Sequence, residues 1–122
     1  MKSLLLVAAG GALGSMGRYL ATIYISRHTP LTFPLGTFVV NVTGCFLIGI
    51  LFGLFAKHAV MTTDWRLFLI TGICGGYTTF SSFSLESIAL FRQGSYTYFL
   101  LYIFGSVMLG LLATVAGMTL TR

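Results

Sequence analysis

Of the 122 residues in this chain, 57% are hydrophobic and 7% are charged, far short of the roughly 25% charged residues of an ordinary soluble domain. The formal net charge is +5, with only two acids, Asp64 and Glu86. Such a composition excludes a soluble domain and makes lipid the solvent for most of the chain.

Reading for stretches of about 20 apolar residues predicts four spans in an all-α membrane fold, at residues 4–25, 36–55, 67–91 and 98–118, forming a single domain over residues 1–122. Span one begins as a signal peptide would, with Lys2 ahead of Leu4 to Ala9. Its apolar character continues through Gly10 and Gly14 to Ile25 without a polar mature start, so it reads as a span and not as a cleaved leader. The first connection, Ser26 to Leu35, carries Arg27, His28 and both prolines.

Span two places Thr37 and Asn41 four residues apart and therefore on one helical face. An amide within Val39-Val-Asn-Val42 is costly in lipid and should face a partner or a pore. Gly49 and Gly53, like Gly10 and Gly14 before them, are spaced for close helix packing within or between subunits. Four short helices have little interior for polar groups, which makes a homo-oligomer the default. The second connection, Ala56 to Arg66, holds Lys57, His58 and Asp64.

Span three is the most informative. Gly72, Gly75 and Gly76 are poor helix formers and Thr78 and Thr79 follow at once, so the helix is expected to break between Gly75 and Thr78. Carbonyls freed there, at mid-depth, suit a sodium-sized ion; a harmless kink is the competing reading. Beyond the break, Phe80 and Phe83 lie three apart on one face, with Ser84 and Ser87 extending the stripe. Ring edges are electropositive and hydroxyls donate hydrogen bonds, so the stripe could receive a small dehydrated anion, or could simply be packing. Glu86, the one acid within a span, could couple protons, pair with Arg18, or reach toward the membrane surface.

Arg92-Gln93-Gly94 forms the last turn, and span four offers Tyr102 and Ser106, again four apart. With Thr37, Asn41 and the serines of span three they could form a track of donors beside the phenylalanines. Cys45 and Cys74 both fall within spans and read as small buried hydrophobes. His28 and His58 lie in loops, so no catalytic pair is visible and no enzymatic activity is expected.

Lys2, Lys57, Arg66 and Arg122 fall on one side of the spans and Arg27 and Arg92 on the other, with Arg18 toward the second side. The bias weakly places both termini in the cytoplasm. So slight a bias leaves orientation open to insertion both ways.

Three runs carry a resemblance: Gly10 to Tyr19 (GGALGSMGRY), Gly36 to Gly49 (GTFVVNVTGCFLIG) and Gly72 to Ser84 (GICGGYTTFSSFS). In motif, order and length the whole chain resembles the Fluc (CrcB) fluoride channels. The resemblance implies a dual-topology homodimer of antiparallel subunits in the inner (plasma) membrane, passively exporting fluoride through two pores around one structural sodium ion. Phe80 and Phe83 resemble the family's pore phenylalanines and Asn41 its pore asparagine. Gly75 and Thr78 resemble its donors of backbone carbonyls to sodium. Thr37, Ser81, Ser82, Ser84, Glu86, Tyr102 and Ser106 resemble lining or supporting polar groups. Fluoride, sodium, lipid and a second copy of the chain are the implied partners, and no nucleic acid.

Three positions depart from the family's usual pattern. Ser82 stands in place of a threonine, Cys45 where serine is frequent, and Tyr77 where phenylalanine or leucine is usual. Two other classes fit a short four-span chain. A small multidrug-type proton-coupled exporter would be expected to carry its coupling acid in span one, which has none here. A non-transporting assembly subunit would need only packing and has no use for a polar third span.

Overall fold

The computed structural model describes residues 1–30, 32–58 and 62–121, and these are helical with short connections. Three long helices, α1 (Lys2–His28), α2 (Leu35–Lys57) and α6 (Tyr96–Leu120), are apolar and long enough to cross a membrane. Between α2 and α6 the third segment is compound. It comprises α3 (Thr63–Arg66), a π-helical stretch (Leu67–Cys74), α4 (Gly75–Tyr77) and α5 (Phe80–Arg92). The 13 residues of α5 reach about 20 Å at 1.5 Å per residue, short of the ~30 Å hydrocarbon core.

The helices run past the ends expected from hydropathy, because backbone hydrogen bonding continues into the polar flanks where water competes. Helical structure in the third segment already begins at Thr63, inside the expected second connection. Of that connection, Ala59 to Met61 lie outside the described residues. Gly94 makes the last turn, at a φ of +81° that glycine adopts without steric cost.

Two tight pairings build the subunit: α1 against the π-helical stretch and α4, and α2 against α6. Both depend on missing side chains. A Cβ on Gly10 would overlap the Phe68 carbonyl oxygen, and one on Gly14 the Ile73 carbonyl oxygen. A Cβ on Gly49 would overlap the Thr114 carbonyl oxygen of α6, and one on Gly53 the Thr121 hydroxyl. All four glycines flagged for close packing therefore act within the subunit.

The break lies at Thr78 and Thr79, both extended (φ −83°, ψ 157° and φ −149°, ψ 121°), whereas Gly75 keeps right-handed helical angles. The break thus falls at the Thr78 end of the expected Gly75–Thr78 stretch and runs on into Thr79. Gly72 and Gly76 are used for approach to α1, where a Cβ on Gly76 would meet the Gly11 backbone, and the interruption falls where side-chain amide and hydroxyl groups can replace helical hydrogen bonds.

At one end of the molecule Lys2 Nζ pairs with Asp64 Oδ2 at 2.8 Å, joining the start of α1 to the start of the third segment. Trp65 beside it is half exposed, as suits an aromatic at the membrane surface. Few side chains are fully buried, among them Val40, Cys74 and Tyr102. Large apolar residues such as Phe104 and Leu111 of α6 point outward, the arrangement lipid permits and water does not.

Candidate ion pathway

The break is held from α2. Thr79 N–H donates to Asn41 Oδ1 at 2.8 Å, and Asn41 Nδ2 donates to the Thr79 carbonyl at 3.0 Å. One side chain thus satisfies both main-chain groups of the extended residue, which would otherwise be left unpaired at depth. Thr79 then caps α5, its hydroxyl accepting from Ser82 N–H at 3.1 Å. An amide nitrogen carries two protons, so Asn41 keeps a second donor beyond the one given to Thr79.

These bonds free carbonyls. In a continuous helix Thr79 N–H would close on Gly75 and Ser82 N–H on Thr78, but the first donates to Asn41 and the second to the Thr79 hydroxyl. The carbonyls of Gly75 and Thr78 therefore lose their helical donors. Gly75 is exposed, and a Cβ there would meet only Ile70 O at 3.8 Å. Among the described residues no group of three or more His, Cys, Asp or Glu could hold a metal. A cation site here would be built of main-chain oxygens, which suit a hard monovalent ion.

A groove of about 380 Å³ runs past the break and gathers Asn41, Gly75, Thr78, Phe80, Phe83 and Ser106 in its lining. The rings of Phe80 and Phe83 lie 5.7 Å apart, tilted by 49°. Phe80 is 79% exposed, with the Phe83 ring on one side of it. Ser106 Oγ is buried without a hydrogen-bond partner among the described residues.

A second cavity of about 400 Å³ holds Ser15, Arg18, Thr37, Thr79, Ser82 and Glu86. Arg18 does not pair with Glu86. Its Nε donates to the Gly76 carbonyl at 3.1 Å, while Glu86 Oε1 accepts from the Tyr102 phenol at 3.1 Å. Tyr102 is fully buried, its ring 5.1 Å from Phe83 and 5.4 Å from Phe33. It therefore stands behind the groove as a brace linking Phe83 to Glu86.

The remaining serines are not gathered into either cavity. Ser81 and Ser84 are exposed on the outer face of α5, with Ser81 Oγ 3.2 Å from Thr79 Oγ1. Ser87, placed by sequence on the phenylalanine stripe, is buried and donates to the Phe83 carbonyl at 2.7 Å. Sequence reasoning named Thr79 only as a neighbour of the break and missed its part in holding it, although a threonine just ahead of an amphipathic stretch is a helix-start signal. It also missed Cys45 and Cys74 as groove-lining residues; nothing in their spacing marks them.

Among the described residues, three apolar helices of membrane length mark a multi-pass membrane protein. Residues 5–118 match the family model described as CrcB-like protein, Camphor Resistance (CrcB). Over 122 residues the chain is 47% identical to a protein of Flavobacterium psychrophilum named fluoride-specific ion channel FluC, covering all of this chain and 98% of that one. A Phocaeicola vulgatus protein of the same name is 49% identical with full coverage of both, and one from Rhizobium meliloti is 49% identical over all of this chain and 98% of its own length. The chain belongs to the CrcB-like family.

Proposed function

We propose that this protein is a fluoride-selective channel through which fluoride leaves the cytoplasm passively across the inner (plasma) membrane. In this reading the compound third segment completes a fourth crossing. Two antiparallel copies assemble with two pores and one central sodium ion. The names of the relatives support the substrate, and the chemistry of the groove supports the pathway.

Ser106 carries the reading. A buried hydroxyl without a partner costs about 1–3 kcal/mol, and among the described residues Ser106 Oγ is buried and unpaired on a residue that lines the groove holding Asn41, Phe80 and Phe83. Such a donor suits an acceptor that comes and goes. Fluoride holds its water tightly, and moving a bare ion into a medium of low dielectric costs tens of kcal/mol in the Born limit. The pathway has to replace that hydration with donors. The spare Asn41 N–H, the Ser106 hydroxyl and the electropositive edges of Phe80 and Phe83 can do so without a full positive charge that would trap the ion.

Thr37, Ser82 and Glu86 act at the mouth, in the cavity shared with Arg18. Tyr102 orients Phe83 and Glu86 from behind, and the exposed Ser81 and Ser84 face the second copy. The carbonyls of Gly75 and Thr78 would hold sodium, which supplies positive potential between the pores and braces the two copies. Ser82 keeps a hydroxyl where the family's threonine has one and lacks only the methyl group, so it bears on conductance more than on selectivity.

The test is fluoride efflux from liposomes holding the purified protein, followed by a fluoride electrode with chloride as the comparison ion and sodium outside. Fluoride loss without chloride loss is expected. No flux of either ion from an intact dimer would overturn the proposal, and drug-dependent proton uptake would point to an exporter instead.

A further inference from the structure

Tyr77 is the last helical residue before the break, and it is fixed on three sides. Its ring sits between two glycines, 3.8 Å from where a Cβ would stand on Gly17 of α1 and 3.2 Å from where one would stand on Gly44 of α2. Its phenol oxygen lies 2.9 Å from Thr43 Oγ1. Thr43 has one hydroxyl proton, and it is directed to its own helix, at 2.7 Å from the Val39 carbonyl and 3.1 Å from that of Val40. The phenol is therefore the donor and Thr43 the acceptor.

Opposite ends of the break are thus tied to the same helix. Asn41 holds Thr79 and Thr43 holds Tyr77, so Thr78 is suspended between two residues anchored on α2. Gly44 lies directly beneath it, since a Cβ there would overlap Thr78 Cγ2. We propose that Tyr77 and Thr43 form a positioning pair that fixes the direction of the Thr78 and Gly75 carbonyls at the break. A phenylalanine at 77 would keep the wedge between the two glycines and lose the tie, leaving Asn41 as the main side-chain restraint from α2.

The consequence for ion flux rests on the sodium reading given above; the positioning itself does not. Amide hydrogen exchange by mass spectrometry on the purified full-length protein therefore comes first. Tyr77→Phe and Thr43→Val should each raise exchange at Thr78 and Thr79 by about five-fold, the factor of one net hydrogen bond. Thr43→Ser should match the parent, and the double variant should be no faster than either single variant. Unchanged exchange in both single variants, or effects that multiply in the double variant, would overturn the pair.

Fluoride efflux with external sodium replaced by potassium forms the second arm. Tyr77→Phe should lose flux on that replacement more steeply than the parent, and equal steepness would overturn the positioning role. A parent protein indifferent to the cation would sink the sodium reading alone, with the exchange result still deciding the pair.

Discussion

Asn41 and Thr79 pair as residues of adjacent β-strands do, exchanging an N–H and a carbonyl oxygen in both directions at 2.8 and 3.0 Å. Here one partner is a side-chain amide on a helix, so an extended residue can exist inside a helical membrane protein with both its polar groups satisfied. The break is an outcome of that pairing more than of the glycines before it.

Asn41→Leu should remove both bonds and leave the Thr79 N–H and carbonyl without their partner, a loss of about 3 kcal/mol. The expected result is a lower thermal midpoint for the purified protein in detergent together with lost fluoride efflux. Asn41→Asp, which keeps the acceptor but not the donor, should fall between. An Asn41→Leu protein as heat-resistant as the parent would show that the break is held by something else.

Ser106→Ala should behave in the opposite sense. Deleting a buried hydroxyl that has no partner among the described residues leaves stability unchanged or improves it by about 1 kcal/mol, while removing one donor to a charged ion should lower fluoride flux roughly ten-fold. Thermal midpoint and efflux measured on the same preparation separate the two effects. A fall in stability matched by no fall in flux would remove Ser106 from the pathway.

The two phenylalanines should also separate. Phe80 is largely uncovered within its own chain, so Phe80→Ile should cost little beyond the ring contact to Phe83 and act chiefly on flux. Phe83→Ile should lower flux and also lose the ring contact to Tyr102, costing about 1 kcal/mol of stability. Normal efflux in either variant would end the argument from ring edges.

Gly14→Ala should prevent a stable fold or cost about 3 kcal/mol, because the new methyl group would overlap main-chain atoms that cannot turn aside. Gly11→Ala, three positions earlier on the same helix, would meet nothing within 4 Å and should be neutral. The comparison is read most simply from the yield of monodisperse protein.

Much of this was legible in the residues. Hydropathy marks α1, α2 and α6 because lipid leaves few alternatives to a long apolar helix, and the crowding of glycine, threonine and serine after Gly72 marks the segment that departs from one. The exact seat of the break was not legible, since it depends on which backbone groups Asn41 can reach across from α2. Nor could the sequence separate Ser106, which lines the groove, from Tyr102, which stands behind it. Four residues apart places two side chains on one face, but that face is wide enough to serve both a cavity and a packed interior. The π-helical stretch, Leu67 to Cys74, was not legible either, because a poor helix former such as Gly72 does not say whether a helix widens or breaks.

Where α1 meets the first half of the third segment, main chain lies against main chain, with Gly10 and Gly14 beneath Phe68 to Tyr77. Two rods in such contact have no intervening side chains to repack, and so can neither slide nor roll past one another by small steps. Together they form the stator of the protein. In the channel reading proposed above, whatever accommodates a passing ion then lies outside that pairing, in the rings of Phe80 and Phe83 on α5 and the Ser106 hydroxyl on α6, so that one half of the third segment keeps the geometry while its continuation supplies the play.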